Sequence, residues 1–163
     1  MIDRPDDSVD HLLGQLEWTA DEIEAQRPFI ERLPDQQLSA APVPDTPSIR
    51  QLYRELLDRE HEKHLPAVAD YVGREVPDAL PRPKDVESVD EIMAAIVKSR
   101  RHVVDILRTI RPAEWGRTIP GGNDSLETFL HAAALNDAEV LRRIGERLYE
   151  SELRLGDAGS MTD

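Results

Sequence analysis

The 163-residue chain has no cysteine. That excludes a disulfide framework, a thiolate nucleophile and any cysteine-based zinc or iron–sulfur site. No apolar run approaches the roughly 18 residues that a bilayer-spanning helix needs, so no membrane contact is expected. The opening stretch, MIDRPDDSVDHLLGQ, lacks a basic segment followed by an apolar block. A secretory leader is therefore not expected, and the protein reads as cytoplasmic. Basic charge is also in the minority, with 20 Lys and Arg against 33 Asp and Glu and a formal net charge of −13. A surface of that sign repels nucleic acid. The densest basic groups, Lys98, Arg100, Arg101 and Arg142, Arg143, Arg147, are mixed with acids at helical spacing. They read as solvated faces and intrahelical ion pairs, and no nucleic-acid partner is expected.

Several chemical signatures are missing as well. There is no Gly-x-Ser-x-Gly elbow, no phosphate-binding glycine loop and no His-Glu-x-x-His pair. No segment of strand length alternates apolar and polar residues, and no internal repeat is visible. The pair Gly121 and Gly122 reads as a tight turn.

What is present is a balance of 39% hydrophobic and 33% charged residues, which fits one globular domain. We expect that domain over 1–155, with 156–163 as a disordered tail. From about Val9 the apolar residues Leu12, Leu13, Leu16, Ala20 and Ile23 mark a first helix, kinked or restarted at Pro28 and ending before Pro34. Residues 34–47 hold four prolines and read as a loop. Ser48 starts a second helix that runs to about Val72 with Gly73 as its stop, and Pro66 inside it predicts a second kink or break. Residues 74–87 form a long connection, long enough to cross the end of a bundle. Ser88 and Glu91 have capping-box spacing and open a third helix to about Ile110. After a loop, Asp124 or Ser125 caps a fourth helix lasting to about Glu150. Four amphipathic helices with these connections predict an all-α, antiparallel four-helix bundle with a long crossover between helices 2 and 3.

Polar residues on the apolar stripes are the candidates for chemistry, because a buried ionisable group must be paired or neutralised. In helix 2 the stripe Ile49, Leu52, Leu56, Ala67 centres on Glu60, with Glu55 and Arg59 on one edge and His64 on the other. The plain reading pairs Glu60 with an arginine of a neighbouring helix. In helix 4, Asp137 falls on the core stripe and Asn136 on its edge, with Val140 one turn later; His131 points elsewhere. His61 and His64 form the sole i, i+3 histidine pair and read as surface residues. Core packing is the expectation for Trp18, and a lid or packing role at the bundle mouth for Trp115.

Two segments carry a family resemblance. SIRQLYRELLDRE over 48–60 is similar to the pattern Ser-Val-Arg-Glu-Leu-Leu-x-His-Leu-x-Asp-x-Glu of the DinB-like (DinB/YfiT) superfamily. LETFLHAAALNDAEVLRRI over 126–144 aligns with its apolar helix bearing His-Asp-x-x-His-Leu-x-x-Ile. The resemblance implies a four-helix bundle and helix-face pairing into a homodimer. It also implies a divalent metal, often nickel or zinc, on three histidines. Those histidines fall here on Glu55, Asn136 and Val140, so the metal-binding motif is degenerate: a carboxylate can ligate, an amide does so weakly and a valine cannot. Asp58, Glu60 and Asp137 keep the supporting part of the motif. The expected site is then a cavity lined by Glu55, Arg59, Glu60, Asn136 and Val140, with no cofactor, no metal beyond Glu55 as a weak ligand, and unknown catalytic residues. Three roles stay open. The first is a metal-free protein binding a small molecule or a partner. The second is an enzyme, either a hydrolase or thiol-dependent transferase with an atypical metal site, or one using Glu55 or Glu60 as base. The third is a helical interaction protein without an active site.

Overall fold

The computed structural model describes residues 5–41 and 43–160. Its regular elements are all helical: α1 (Pro5–Glu31), a short α2 (Asp35–Ser39), α3 (Ile49–Arg59), a π-helical turn (Glu60–His64), α4 (Leu65–Tyr71), α5 (Val89–Leu107) and α6 (Leu126–Ser160). Single 3-10 turns lie at Pro83–Asp85 and Pro112–Glu114. Among the described residues the only β-type pairing is an isolated bridge between Thr118 and Ser125. The protein is all-α, as its periodicity predicts.

Helix starts follow the side-chain chemistry. Ser48 Oγ accepts from the Gln51 backbone N–H at 3.1 Å while Gln51 Oε1 accepts from the Ser48 N–H at 2.8 Å. Ser88 and Glu91 make the same reciprocal pair at 3.1 and 3.2 Å, satisfying donors that a helix start leaves free. Ser125 Oγ accepts from the Thr128 N–H and opens α6. Beyond α4, Gly73 takes φ +70°, a left-handed value that ends the helix without a Cβ penalty.

Boundaries differ from expectation at several places. α1 already begins at Pro5 and continues through Pro28 to Glu31 without a restart; Pro28 is exposed, so water can satisfy the carbonyl it leaves free. Within the predicted loop 34–47, α2 forms because Leu38 is buried against the core. α5 ends at Leu107, not Ile110, where Thr109 and Ile110 bond back three residues to Ile106 and Leu107. α6 stays helical to Ser160, past the expected end at Glu150 and into the segment read as a tail; residues 161–163 lie outside the described residues.

Pro66 does not break its helix. The backbone widens one turn earlier, where the Leu65 N–H donates to the Glu60 carbonyl, five residues back. This π turn makes room for the proline ring and its missing donor, so α4 starts with Pro66 in its first turn. The turn holds two inward polar residues, Glu60 and His64, both buried.

The core is in two apolar halves. One gathers Ile23 and Ile30, Leu52 and Leu56, Ile92 and Ile96, and Val140 and Ile144. The other gathers Leu12 and Leu16, Leu65 and Val68, Val103 and Leu107, and Leu126 and Leu130. α1, α5, α6 and the continuous run of α3, π turn and α4 each contribute to both halves. In each, the residues between the halves include buried polar groups: Thr19, Glu60 with His64, Ser99 with Arg100, and Asp137. A polar layer therefore crosses the molecule at mid-height. Trp115 is fully buried in the second half and donates its indole N–H to the Ile110 carbonyl, which makes it packing and not a lid. Trp18 departs from its core expectation and is 46% exposed.

Candidate functional site

The polar layer is organised by Arg100. Its guanidinium donates from Nε to Glu60 Oε2 at 2.6 Å and from Nη2 to Asp137 Oδ2 at 2.6 Å. Nη1 reaches the Leu16 carbonyl of α1 at 3.2 Å. His64 Nδ1 lies 3.1 Å from the other Glu60 oxygen. One planar cation thus ties α5 to the π turn, to α6 and to α1, using the fork geometry that suits arginine to carboxylates. Glu60 and Arg100 are 1% and 2% exposed. Burial alone would raise the Glu60 carboxyl, but the Arg100 charge, helped by His64, outweighs it and brings the carboxyl to about 2. For Arg100, burial alone would lower its value, but Glu60 and Asp137 outweigh it and the guanidinium is raised above its ordinary range.

The expectation that Glu60 pairs with an arginine of another helix is met. Two others are corrected. Arg100 is no solvated cation: it lies four residues after Ile96 and three before Val103, so helical spacing already puts it on the core stripe of α5. His64 is no surface histidine, because the π turn rotates it inward against Glu60 and the edge of the Phe129 ring, 6.0 Å between centroids. His61 is half-buried, with Nε2 3.1 Å from Ser99 Oγ, and burial pushes its pKa down.

The other candidate residues divide between a surface groove and the core. Glu55 and Arg59 line a groove of about 340 Å³ along α3 with Arg54, Asp58 and Lys63. Glu55 Oε1 is 3.4 Å from Arg59 Nη2. Asn136 is half-buried and does not line that groove. Val140 is 2% exposed, inside the apolar core with Leu52 and Leu56. Buried nitrogens on Arg59 (Nη1) and Asn136 (Nδ2) have no acceptor among the described residues. Such orphan donors cost about 1–3 kcal/mol each when left unpaired. A larger groove of about 690 Å³ lies between α1 and α6, lined by Gly14, Trp18, His131, Leu135 and Ala138 among others. His131 belongs to this groove, away from Asn136.

A divalent metal does not fit the residues at the three expected positions. The Glu55 carboxylate leans on a guanidinium, Asn136 presents an amide, and Val140 has no lone pair. Among the described residues, no three His, Asp or Glu side chains are gathered closely enough to hold a metal ion. Glu60 also makes a poor general base, since a carboxyl held near 2 has little affinity for a proton and no contact with solvent.

A family model for the DinB superfamily matches residues 15–146, most of the chain. The protein belongs to the DinB superfamily. No curated protein matches it. Among the described residues no helix is long and apolar enough to cross a membrane.

Proposed function

We propose that this DinB-superfamily protein lacks the three-ligand metal site and binds a small molecule or a partner in the cavity region that remains between α3 and α6. The reading includes an antiparallel four-helix bundle of α1, α3–α4, α5 and α6. It is supported by the order in which the helices meet the two core halves: α1 and α6 traverse them one way, α3–α4 and α5 the other. Helices 2 and 3 then run the same way, which the long 74–87 crossover allows. The observation that carries the functional reading is Val140, buried among leucines where a third ligand would have to stand. The role left to Glu55, Arg59 and Asn136 is recognition.

Elemental analysis of protein purified without chelator tests this. The expected result is well under one equivalent of nickel or zinc, unchanged in Glu55→Ala, together with ligands that raise Tm in a thermal-shift screen. A full equivalent of metal that disappears in Glu55→Ala would overturn it.

A homodimer across the outer face of α1 and α6 is a second reading, favoured by a specific feature. Trp18, Phe29, Leu135 and Tyr149 are exposed on this face, Leu135 at 74%. They stand beside Gly14, Ala138 and Gly145 in the grooves between the two helices. Large and small residues on one strip supply both knobs and holes, as a two-fold interface between identical surfaces requires. Light scattering is expected to give a dimer mass for the wild type and a monomer for Leu135→Glu. A wild-type monomer at high micromolar concentration would sink this assignment.

A further inference from the structure

Three nitrogens are buried without an acceptor among the described residues, Arg27 Nε, Arg59 Nη1 and Asn136 Nδ2; the last two stand on α3 and α6, and contacts elsewhere in the fold locate them relative to each other. Arg100 joins Glu60 to Asp137, so the start of the π turn, where α3 ends, is level with Asp137 of α6. Arg59 and Asn136 are the residues immediately before them. Arg147 of α6 donates to the Pro47 carbonyl at the start of α3, so the numbering of α6 falls as that of α3 rises and the two helices stay in register along this stretch.

Rotation about each helix gives the facing edges. His61 of the π turn reaches Ser99 of α5, and Arg54 of α3 reaches the Pro83 carbonyl in the crossover that leads to α5, which assigns that edge to α5. At about 100° per residue, Glu55 and Arg59 fall on the opposite edge, where α6 and, beside Glu55, the 41–47 loop are the neighbours. On α6, Ala134, Leu135 and Ala138 face the groove shared with α1. Asn136 and Val140 fall on the opposite edge, toward α3.

We propose that this seam is an oxyanion site taking a monocarboxylate-bearing small molecule, with Arg59 and Asn136 as its donors. The inference rests on the small-molecule reading above and names the ligand's chemistry. Two N–H groups without acceptors, one of them on a guanidinium, call for an acceptor with two oxygens, and a carboxylate meets an arginine fork and an amide in one plane. Because Glu55 already leans on Arg59, only part of the cation's charge is free, which favours a monoanion over inorganic phosphate. Asn136 is one of the positions where the resemblance puts a metal ligand, and Arg59 lies one turn from another, Glu55.

The test is ¹⁵N NMR of the full chain titrated with butyrate, with its neutral isostere butyramide, and with inorganic phosphate. Butyrate is expected to shift the Arg59 side-chain Nε–H and the Asn136 side-chain amide saturably. Butyramide should bind at least tenfold more weakly. Arg59→Gln and Asn136→Leu should each weaken butyrate at least tenfold, while Val43→Ser on an exposed loop leaves it unchanged. Absence of saturable shifts at these two side chains, equal binding of butyramide, or tighter binding of phosphate would each overturn the proposal. If ligands from the thermal-shift screen act only at the α1–α6 groove, the oxyanion site fails while small-molecule binding stands. If the screen and the titration are both blank, both readings fail.

Discussion

Arg100→Met is expected to lower stability by about 3–5 kcal/mol, the usual effect of removing one partner from a buried ion pair. The substitution keeps most of the volume but leaves Glu60 and Asp137 as two carboxylates, each 1% exposed, with no cation between them. It also frees the Leu16 carbonyl on α1, so four chain segments lose their common tie at once. For a domain of this length a loss of that size lowers Tm by roughly 10 °C or more. Urea denaturation with and without the substitution measures it. A triple variant, Arg100→Met with Glu60→Leu and Asp137→Leu, should recover most of the loss, since apolar packing often matches a buried ionic cluster. What the triple variant should not recover is uniqueness: with the layer gone, the two apolar halves can slide past one another, broadening the NMR spectrum. A single variant within about 1 kcal/mol of wild type would show that the layer does not hold the fold.

Acid should unfold the protein in a window set by Glu60. Its carboxyl is held at about 2 in the folded chain against an ordinary value of 4.5, by Arg100 and His64 acting against burial. A carboxyl whose folded pKa is depressed contributes stability that is fully present above the unfolded value. That contribution drains away as pH falls toward the folded value. The expected loss, on the order of 3 kcal/mol, therefore falls between about pH 4.5 and pH 2. Glu60→Gln should be less stable than wild type at pH 7, because Arg100 and His64 lose their charged partner. Its urea midpoint should then fall less steeply over the acid range. Parallel slopes for the two proteins between pH 4.5 and pH 2 would assign the acid sensitivity to other carboxylates.

Local chemistry made much of this fold legible in the sequence. Ser48 with Gln51 and Ser88 with Glu91 close their capping pairs three residues apart, so the sequence needs nothing distant to specify them. The centring of Glu60 and Asp137 on apolar stripes follows from 3.6-residue spacing alone, and it forecast their burial. Arg100 obeys the same spacing, yet reading it with its basic neighbours hid it. Charge type is a weak guide to exposure when two acids on other helices wait for it. Trp18 left its expected core position for a related reason, while Trp115 took the packing role. Trp115 lies in a loop that folds under the second core half, and Trp18 sits on a helix face where the fold leaves a groove.

By itself the sequence determined the helical class, the starts of three helices, the absence of any cysteine and the identity of Glu55, Asn136 and Val140. Each is a property of residue type or of spacing within one segment. Tertiary structure alone decided that Pro66 is absorbed by a π turn, that His64 faces inward, and that one guanidinium serves two acids and a carbonyl. It also decided that Arg59 and Asn136 keep buried donors with no acceptor among the described residues. Those outcomes depend on the level and rotation at which helices far apart in the chain meet, and only packing sets that geometry.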